Sequence, residues 1–130
     1  MADAPPPLDP ADVQAFVGNA HGDLDEVRRL LEREPRLVNA AWDWGGGDWE
    51  TALGAASHMG RRDIAGHLIA HGARVDIFAA AMLDQVAVVE ALLDAFPELA
   101  NATGPHGIPL RAHAEQGEAT GVLALLDARA

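Results

Sequence analysis

The chain contains no cysteine, no lysine and no tyrosine, and the first two absences exclude whole classes of site. Without cysteine there is no disulfide framework, no thiolate zinc finger and no redox pair. Without lysine, all nine basic residues are arginines, against 20 acidic residues and a formal net charge of −11. Neutralising phosphates requires a basic surface, so we expect neither a nucleic-acid partner nor binding to anionic membranes.

Long apolar runs are also missing. No segment reaches the roughly 18 apolar residues that cross a bilayer. Residues 1–10 contain four prolines and two acids, and they lack the basic start and apolar run of a signal peptide. We therefore expect a cytoplasmic protein with a flexible tail at residues 1–10. At 130 residues with 49% hydrophobic residues, the rest of the chain fits one folded domain over residues 11–130.

A repeated pattern organises that domain. Segments 30–39 and 92–101 both read L-L-x-x-x-P-x-L-x-N, and further aliphatic pairs stand at positions 68–69 and 125–126. Eight residues before each pair lie Gly22, Gly60, Asp84 and Gly117, which are 38, 24 and 33 residues apart. The three glycines suit the positive φ that ends many helices. The pattern predicts four pairs of short helices, the first helices covering residues 13–20, 51–58, 75–82 and 109–115.

Two segments carry a family resemblance. Residues 51–60 read T-A-L-G-A-A-S-H-M-G and residues 108–117 read I-P-L-R-A-H-A-E-Q-G, and both follow the ankyrin frame T-P-L-H-L-A-A-x-x-G in part. From about residue 11 onward the chain resembles the ankyrin-repeat family. It is also similar to small bacterial ankyrin-repeat proteins that carry W-D-W-G-G-G-D-W-E-T-A-L, D-I-F-A-A-A and G-P-H-G-I-P-L stretches. The resemblance implies an all-α, ankyrin-type solenoid of about four helix-turn-helix repeats with one long finger loop.

The uneven spacing of the turns locates that finger. The spacing of 38 predicts extra residues at positions 40–50, and the spacing of 24 predicts a shortened third unit beside a concavity. We call residues 42–50 the finger. It holds all three tryptophans, three acids and three consecutive glycines, which we expect to have positive φ.

The finger has two interpretations. Its tryptophans could pack on the helices and seal the gap left by the short unit. Alternatively, indole faces and carboxylates could bind a cationic or sugar-like ligand. The candidate ligand-binding residues are Trp42, Asp43, Trp44, Asp48, Trp49 and Glu50 in the finger, with Phe78 and Arg111 on the inner helices.

The histidines raise the question of a metal. His67 and His71 are four residues apart on one helix and could share an ion. A histidine near a helix C-terminus, however, suits the helix dipole without a metal. We therefore expect no metal site and no cofactor, and we assign His21, a turn residue, no role.

Acid–base chemistry is a second possibility for histidine. Its candidate catalytic residues are Asp48, His58, His106 and His113. His113 stands where ankyrin repeats place a buried alanine, so it needs a hydrogen-bond partner if it is buried. We expect that bond to be structural, to the loop around His106 or to a backbone carbonyl. The alternative is a pocket in which His113 meets Asp43, Asp48 or Glu50.

These features lead to a functional prediction with an alternative. We expect a non-catalytic binding module that recognises a basic protein or a cationic ligand through its concave face and acidic, tryptophan-rich finger. The alternative is a small-molecule-binding protein or small enzyme with an acid–base pocket under the finger. Solenoids are rarely enzymes and no nucleophile motif is present, so the non-enzymatic interpretation is favoured. The last repeat has no polar cap, which predicts a possible homodimer through the C-terminal repeat.

Overall fold

The computed structural model describes residues 4–130, and these residues are mostly helical. The first helices of the four pairs are α1 (Pro10–Asn19), α3 (Ala52–His58), α5 (Ile77–Met82) and α7 (Leu110–Gln116). The second helices are α2 (Leu24–Arg33), α4 (Arg62–Ala70), α6 (Val86–Ala95) and α8 (Thr120–Arg129). The predicted all-α class is confirmed, and the named strands within residues 4–130 form one two-stranded hairpin, β1 (Ala41–Asp43) and β2 (Trp49–Thr51).

Local sequence explains where these helices begin and end. Asp9, Thr51 and Asp76 cap the starts of α1, α3 and α5 by accepting backbone N–H bonds. Pro35 and Pro97 stop α2 and α6 because proline cannot continue a helix, and each opens a short 3-10 segment, Pro35–Asn39 or Pro97–Asn101. In both places the L-L-x-x-x-P pattern thus marks the end of a helix.

The odd-numbered helices form one row, and the even-numbered helices pack behind them. Helix α1 contacts α3, α3 contacts α5, and α5 contacts α7, while each even-numbered helix packs on its partner. One apolar core lies mainly among the first two pairs and a second among the last two. Burying each large aliphatic side chain contributes about 1.5–3 kcal/mol.

The corners between paired helices are only partly as predicted. Gly60 and Asp84 have φ of 67° and 59°, as a left-handed corner requires. In the fourth pair the left-handed residue is Glu118, with φ of 51°, so the prediction of Gly117 is wrong by one position. Gly22 is not among the residues with positive φ. All three left-handed corners are closed by the same backbone bond, in which the next residue donates to the carbonyl four residues before the corner.

Gly117 is a glycine for another reason, which is close packing. A Cβ on Gly117 would lie 2.0 Å from the carbonyl oxygen of Met82, and one on Gly60 would lie 2.5 Å from that of Gln116. In addition, the Arg62 guanidinium donates to the carbonyl of Gly117 at 2.7 Å. The second and fourth helical pairs therefore touch directly, and α3 contacts α7.

The finger is a tight antiparallel hairpin. Trp42 pairs with Glu50 across the strands, so their side chains lie on the same face. Residues 45–47 have φ of 134°, 65° and 88°, which confirms the predicted positive φ at the tip. The Asp43 carboxylate accepts hydrogen bonds from the amides of Gly45 and Gly47 at 2.8 and 3.0 Å.

At the N-terminal end, Leu8 packs half-buried on the first core and α1 begins at Pro10. Part of the predicted tail, residues 1–3, lies outside the described residues, and the boundary at residue 11 remains a prediction. None of the helices in the described part of the chain is long and apolar enough to cross a membrane.

Candidate functional site

A buried carboxylate, Glu50, lies at the centre of a polar cluster beneath the finger. Glu50 is only 1% exposed to solvent. Oε1 accepts a hydrogen bond from Trp44 Nε1 at 2.9 Å and lies 3.1 Å from His21 Nε2. Oε2 lies 3.0 Å from His58 Nε2 and 3.1 Å from His106 Nε2. We call His21, Glu50, His58 and His106 the Glu50 cluster.

Distant parts of the chain supply these four residues. His21 lies in the turn that follows α1, and Glu50 lies in β2. His58 is the last residue of α3. His106 lies in the loop before α7, residues 102–109, which we call the His106 loop. The cluster depends on packing, because α3 contacts both α1 and α7.

Asp48 fixes the position of His106. One carboxylate oxygen accepts the backbone N–H of His106 at 2.8 Å, and the other lies 2.6 Å from its Nδ1. His106 itself is left-handed, with φ of 62°. Such backbone strain persists only where surrounding contacts compensate for it, and the bonds to Asp48 are such contacts.

His113 supports the same loop from behind. It is fully buried, its Nδ1 lies 2.9 Å from the carbonyl oxygen of Pro109, and its ring lies 4.8 Å from that of Phe78. A Cβ on Gly104 would approach the His113 ring to 3.2 Å, so the loop rests on this imidazole. Burial lowers the pKa of His113, which favours the neutral ring.

The electrostatics of the cluster favour a negative centre. Burial raises the pKa of Glu50, but hydrogen bonds from His21, His58 and Trp44 outweigh it and hold the pKa at about 2. The hydrogen bond to Glu50 is the main cause that raises the pKa of His21. The pKa of Asp48 is lowered, chiefly by the backbone N–H of His106. Both carboxyl groups are therefore ionised at neutral pH.

The hydrogen-bond donors show that this centre requires positive charge. His21 Nδ1 lies 2.9 Å from the carbonyl oxygen of Gly18, and His106 Nδ1 faces Asp48, so both Nδ1 atoms must donate. A neutral imidazole carries only one N–H, so the Nε2 lone pairs of both rings then point at the Glu50 carboxylate. That contact is favourable only with a proton or another cation between nitrogen and oxygen.

Several predicted site residues meet at the cluster. Glu50, His58 and His106 belong to it, and Trp44 and Asp48 contact its members.

The other predicted residues lie elsewhere. Trp42 packs half-buried on the first core, and Trp49 is 60% exposed. Asp43 shapes the finger tip. Phe78 packs on His113, and Arg111 forms an ion pair with Asp127 at 2.6 Å.

Sequence reasoning missed His21. Its only local signal is its position before Gly22, which is typical of a turn after a helix. Nothing in its spacing from Glu50 or His106 shows that the three residues meet, because their contact depends on how α1, α3 and the His106 loop pack.

No protein-family model matches this chain, and comparison with curated proteins and with solved structures finds no significant match. A function for this protein therefore has to be inferred from the geometry of the Glu50 cluster and its surroundings.

Proposed function

We propose that this protein is a non-catalytic, ankyrin-type binding module that holds a cationic ligand at the Glu50 cluster, beneath the acidic, tryptophan-rich finger. The observation that carries the proposal is a carboxylate on a residue only 1% exposed, faced by three imidazole nitrogens at 3.0 to 3.1 Å. Two of those imidazoles already direct their other nitrogen at an acceptor. A bound cation satisfies the carboxylate and the nitrogen lone pairs together.

Access and overall charge support this proposal. The side chains of His21 and His106 are 27% and 32% exposed, so the cluster is open to solvent on one side. The net charge of −11 attracts cations toward the whole molecule. The cluster members lie in a turn, a hairpin, a helix end and a loop held by packed helices, an arrangement typical of binding sites.

The test asks whether tag-free protein binds any of a panel of cations: guanidinium, an arginine-rich peptide, alkylammonium ions and divalent metals. Calorimetry and the melting temperature measure the binding. We expect one class to bind and to stabilise the wild type. Glu50→Gln removes the central charge and should abolish that effect. Glu90→Gln is the matched control, because it makes the same change on an exposed face of α6. Failure of every cation to bind the folded wild type would overturn the proposal.

A second candidate is an enzyme that uses His106 as an acid–base group. The observation that favours it is the 2.6 Å contact between Asp48 and Nδ1, which orients the ring and directs Nε2 into the cluster. Turnover of a panel of small esters and amides in chelator-treated buffer, lost in His106→Gln, would support this candidate. Absence of turnover by the wild type under those conditions would eliminate it.

A further inference from the structure

We propose that the cation is a divalent first-row transition-metal ion of the zinc class. Its ligands are Nε2 of His21, Nε2 of His58, Nε2 of His106 and the carboxylate of Glu50. This inference names the ion that the Glu50 cluster binds. It rests on the proposed function, which requires a cation at that cluster.

Distances within the cluster fit a single ion. The four potential ligand atoms lie within 4.8 Å of one another. Zinc bonds of about 2.0–2.1 Å place adjacent ligand atoms about 3.0–3.4 Å apart, depending on coordination geometry. The nitrogen–oxygen distances to Glu50 are 3.1 Å from His21 to Oε1, and 3.0 and 3.1 Å from His58 and His106 to Oε2. Each is close to the edge of such a polyhedron, and ligand atoms that lie farther apart must move together when the ion binds.

The histidine rings are also spaced for a shared ion. Rings that ligate one metal at a tetrahedral angle have centroids about 5 Å apart, given a nitrogen–metal bond of about 2 Å. The centroid distances are 5.0 Å for His21–His58, 5.3 Å for His58–His106 and 6.2 Å for His21–His106. Only the last pair must close slightly, and both of its members lie on the solvent side.

Two of the histidines direct the ring nitrogen that faces away from the cluster centre at the kind of partner that metal-binding histidines use. A ligating histidine usually donates its other N–H to a carbonyl or a carboxylate, which fixes the tautomer and orients the ring. His21 does this through the carbonyls of Val17 and Gly18, and His106 does it through Asp48. The Trp44 indole donates to Glu50, so the ligating carboxylate is held as well.

A dication neutralises the cluster without placing like charges on neighbouring rings. One dication with three neutral imidazoles balances the negative charges of Glu50 and Asp48. Two imidazolium rings would give the same balance, but their centroids would lie 5.0 to 6.2 Å apart, and like charges at that range oppose one another.

The ligand types select the class of metal. Imidazole nitrogen suits zinc, nickel, cobalt, copper and iron, whereas calcium and magnesium prefer sites made of oxygen. No thiolate is possible, because the chain lacks cysteine. The exposed edges of His21 and His106 give the ion a path of entry and space for a water ligand.

The experiment is titration of tag-free, chelator-treated protein with Zn²⁺ by calorimetry and with Co²⁺ by visible absorption. We expect one ion per chain and cobalt bands typical of mixed nitrogen and oxygen ligation. His21→Gln removes a ligand in a partly exposed turn and should lower the affinity by at least about 100-fold, exceeding the effect usual for outer contacts. The matched control is the double variant His67→Gln/His71→Gln, which should bind like the wild type.

The outcomes separate the inference from the proposed function. If neither metal binds, but an organic cation stabilises the wild type and not Glu50→Gln, the metal inference fails and the proposed function stands. If no cation of any kind binds, both fail. Tight metal binding that survives His21→Gln but is lost in the double variant would place the metal at His67 and His71 and overturn the inference. Circular dichroism of each variant verifies that the fold is intact.

Discussion

Two groups of histidines in this protein lie close together, and the closer group has the weaker case as a binding site. The rings of His67, in α4, and His71, directly after α4, are 4.3 Å apart, whereas the rings in the Glu50 cluster are 5.0 to 6.2 Å apart. Positions four residues apart on one helix guarantee such proximity. The Glu50 cluster exists only because separate elements pack together.

The surroundings of the two groups explain the difference. The pKa of His67 is lowered by burial first, and then by the positive charges of His71 and Arg28. Of these, Arg28 lies outside the pair, and its permanent charge opposes a cation bound there. In the Glu50 cluster the common neighbour is a carboxylate, and a second carboxylate, Asp48, orients one of the rings. A metal site is therefore indicated by a shared negative centre and fixed ring tautomers more than by short distances between histidines.

The largest expected difference between the two groups of histidines is in the effect of zinc on thermal stability. A ligand at 100 times its dissociation constant stabilises a protein by about 2.7 kcal/mol, which for a domain of this size corresponds to roughly 10 °C in melting temperature. We expect that increase for the wild type and for His67→Gln/His71→Gln, and its loss in His21→Gln. Scanning calorimetry measures it. Loss of the increase in the double variant alone would reverse the comparison.

Asp48→Asn tests the contribution of the Asp48–His106 contact to metal binding. The amide can still accept the backbone N–H of His106 but no longer supplies a negative partner for Nδ1. We expect the zinc affinity to fall by about 10–100-fold, the usual range for such an outer contact. Titration calorimetry gives the ratio, with Asp94→Asn on the exposed face of α6 as the control. An affinity equal to that of the wild type would show that Asp48 only shapes the finger.

The pH dependence of the metal-free protein gives a smaller effect. The pKa of Glu50 is held at about 2 instead of 4.5, so its stabilisation is complete above pH 4.5 and is lost as the pH falls. The pKa of His21 is raised, so its stabilisation is complete below pH 6.5 and is lost as the pH rises through the raised value. Both contributions are present together between pH 4.5 and 6.5.

We therefore expect the melting temperature of metal-free wild type, relative to Glu50→Gln, to be highest in that window. The variant removes both contributions, because the hydrogen bond to Glu50 is the main reason that the pKa of His21 is raised. Glu90→Gln should follow the wild-type profile. Parallel profiles for wild type and Glu50→Gln would contradict the assignment of this pH dependence to the cluster.

The smallest expected effect is that of replacing His67 or His71 on the stability of the protein. Single substitutions His67→Gln and His71→Gln change surface side chains, so the free energy of unfolding should move by no more than about 0.5 kcal/mol. Denaturant titration in the presence of chelator measures this change. A much larger loss would show that the pair has a structural role on α4.

Sequence patterns were sufficient for much of the fold. The repeated aliphatic pairs predicted the four pairs of short helices, and the uneven spacing predicted the long finger. The glycine pattern was wrong at two corners: Gly22 does not have positive φ, and at the last corner Glu118 adopts the left-handed conformation next to Gly117, which does not. There the glycine is required by close packing on Met82, a contact that no local pattern records.

The candidate site was less accessible from sequence. Asp48, Glu50, His58 and His106 could be singled out as reactive residue types, but their convergence could not be deduced. His21 received no role because it looks like an ordinary turn residue. The decisive contact, α3 against α7, follows from the packing of the shortened third pair and has no signature of its own.

That contact also limits how the molecule can change. In a linear repeat array each unit meets only its immediate neighbours, so units can be inserted or lengthened with little effect on distant ones. Here the Arg62 bond to Gly117 joins the second pair to the fourth, and the brevity of the segment between α4 and α5 permits it. The third pair is too short to separate the second pair from the fourth. Lengthening it would carry His106 away from Glu50 even if every helix still folded.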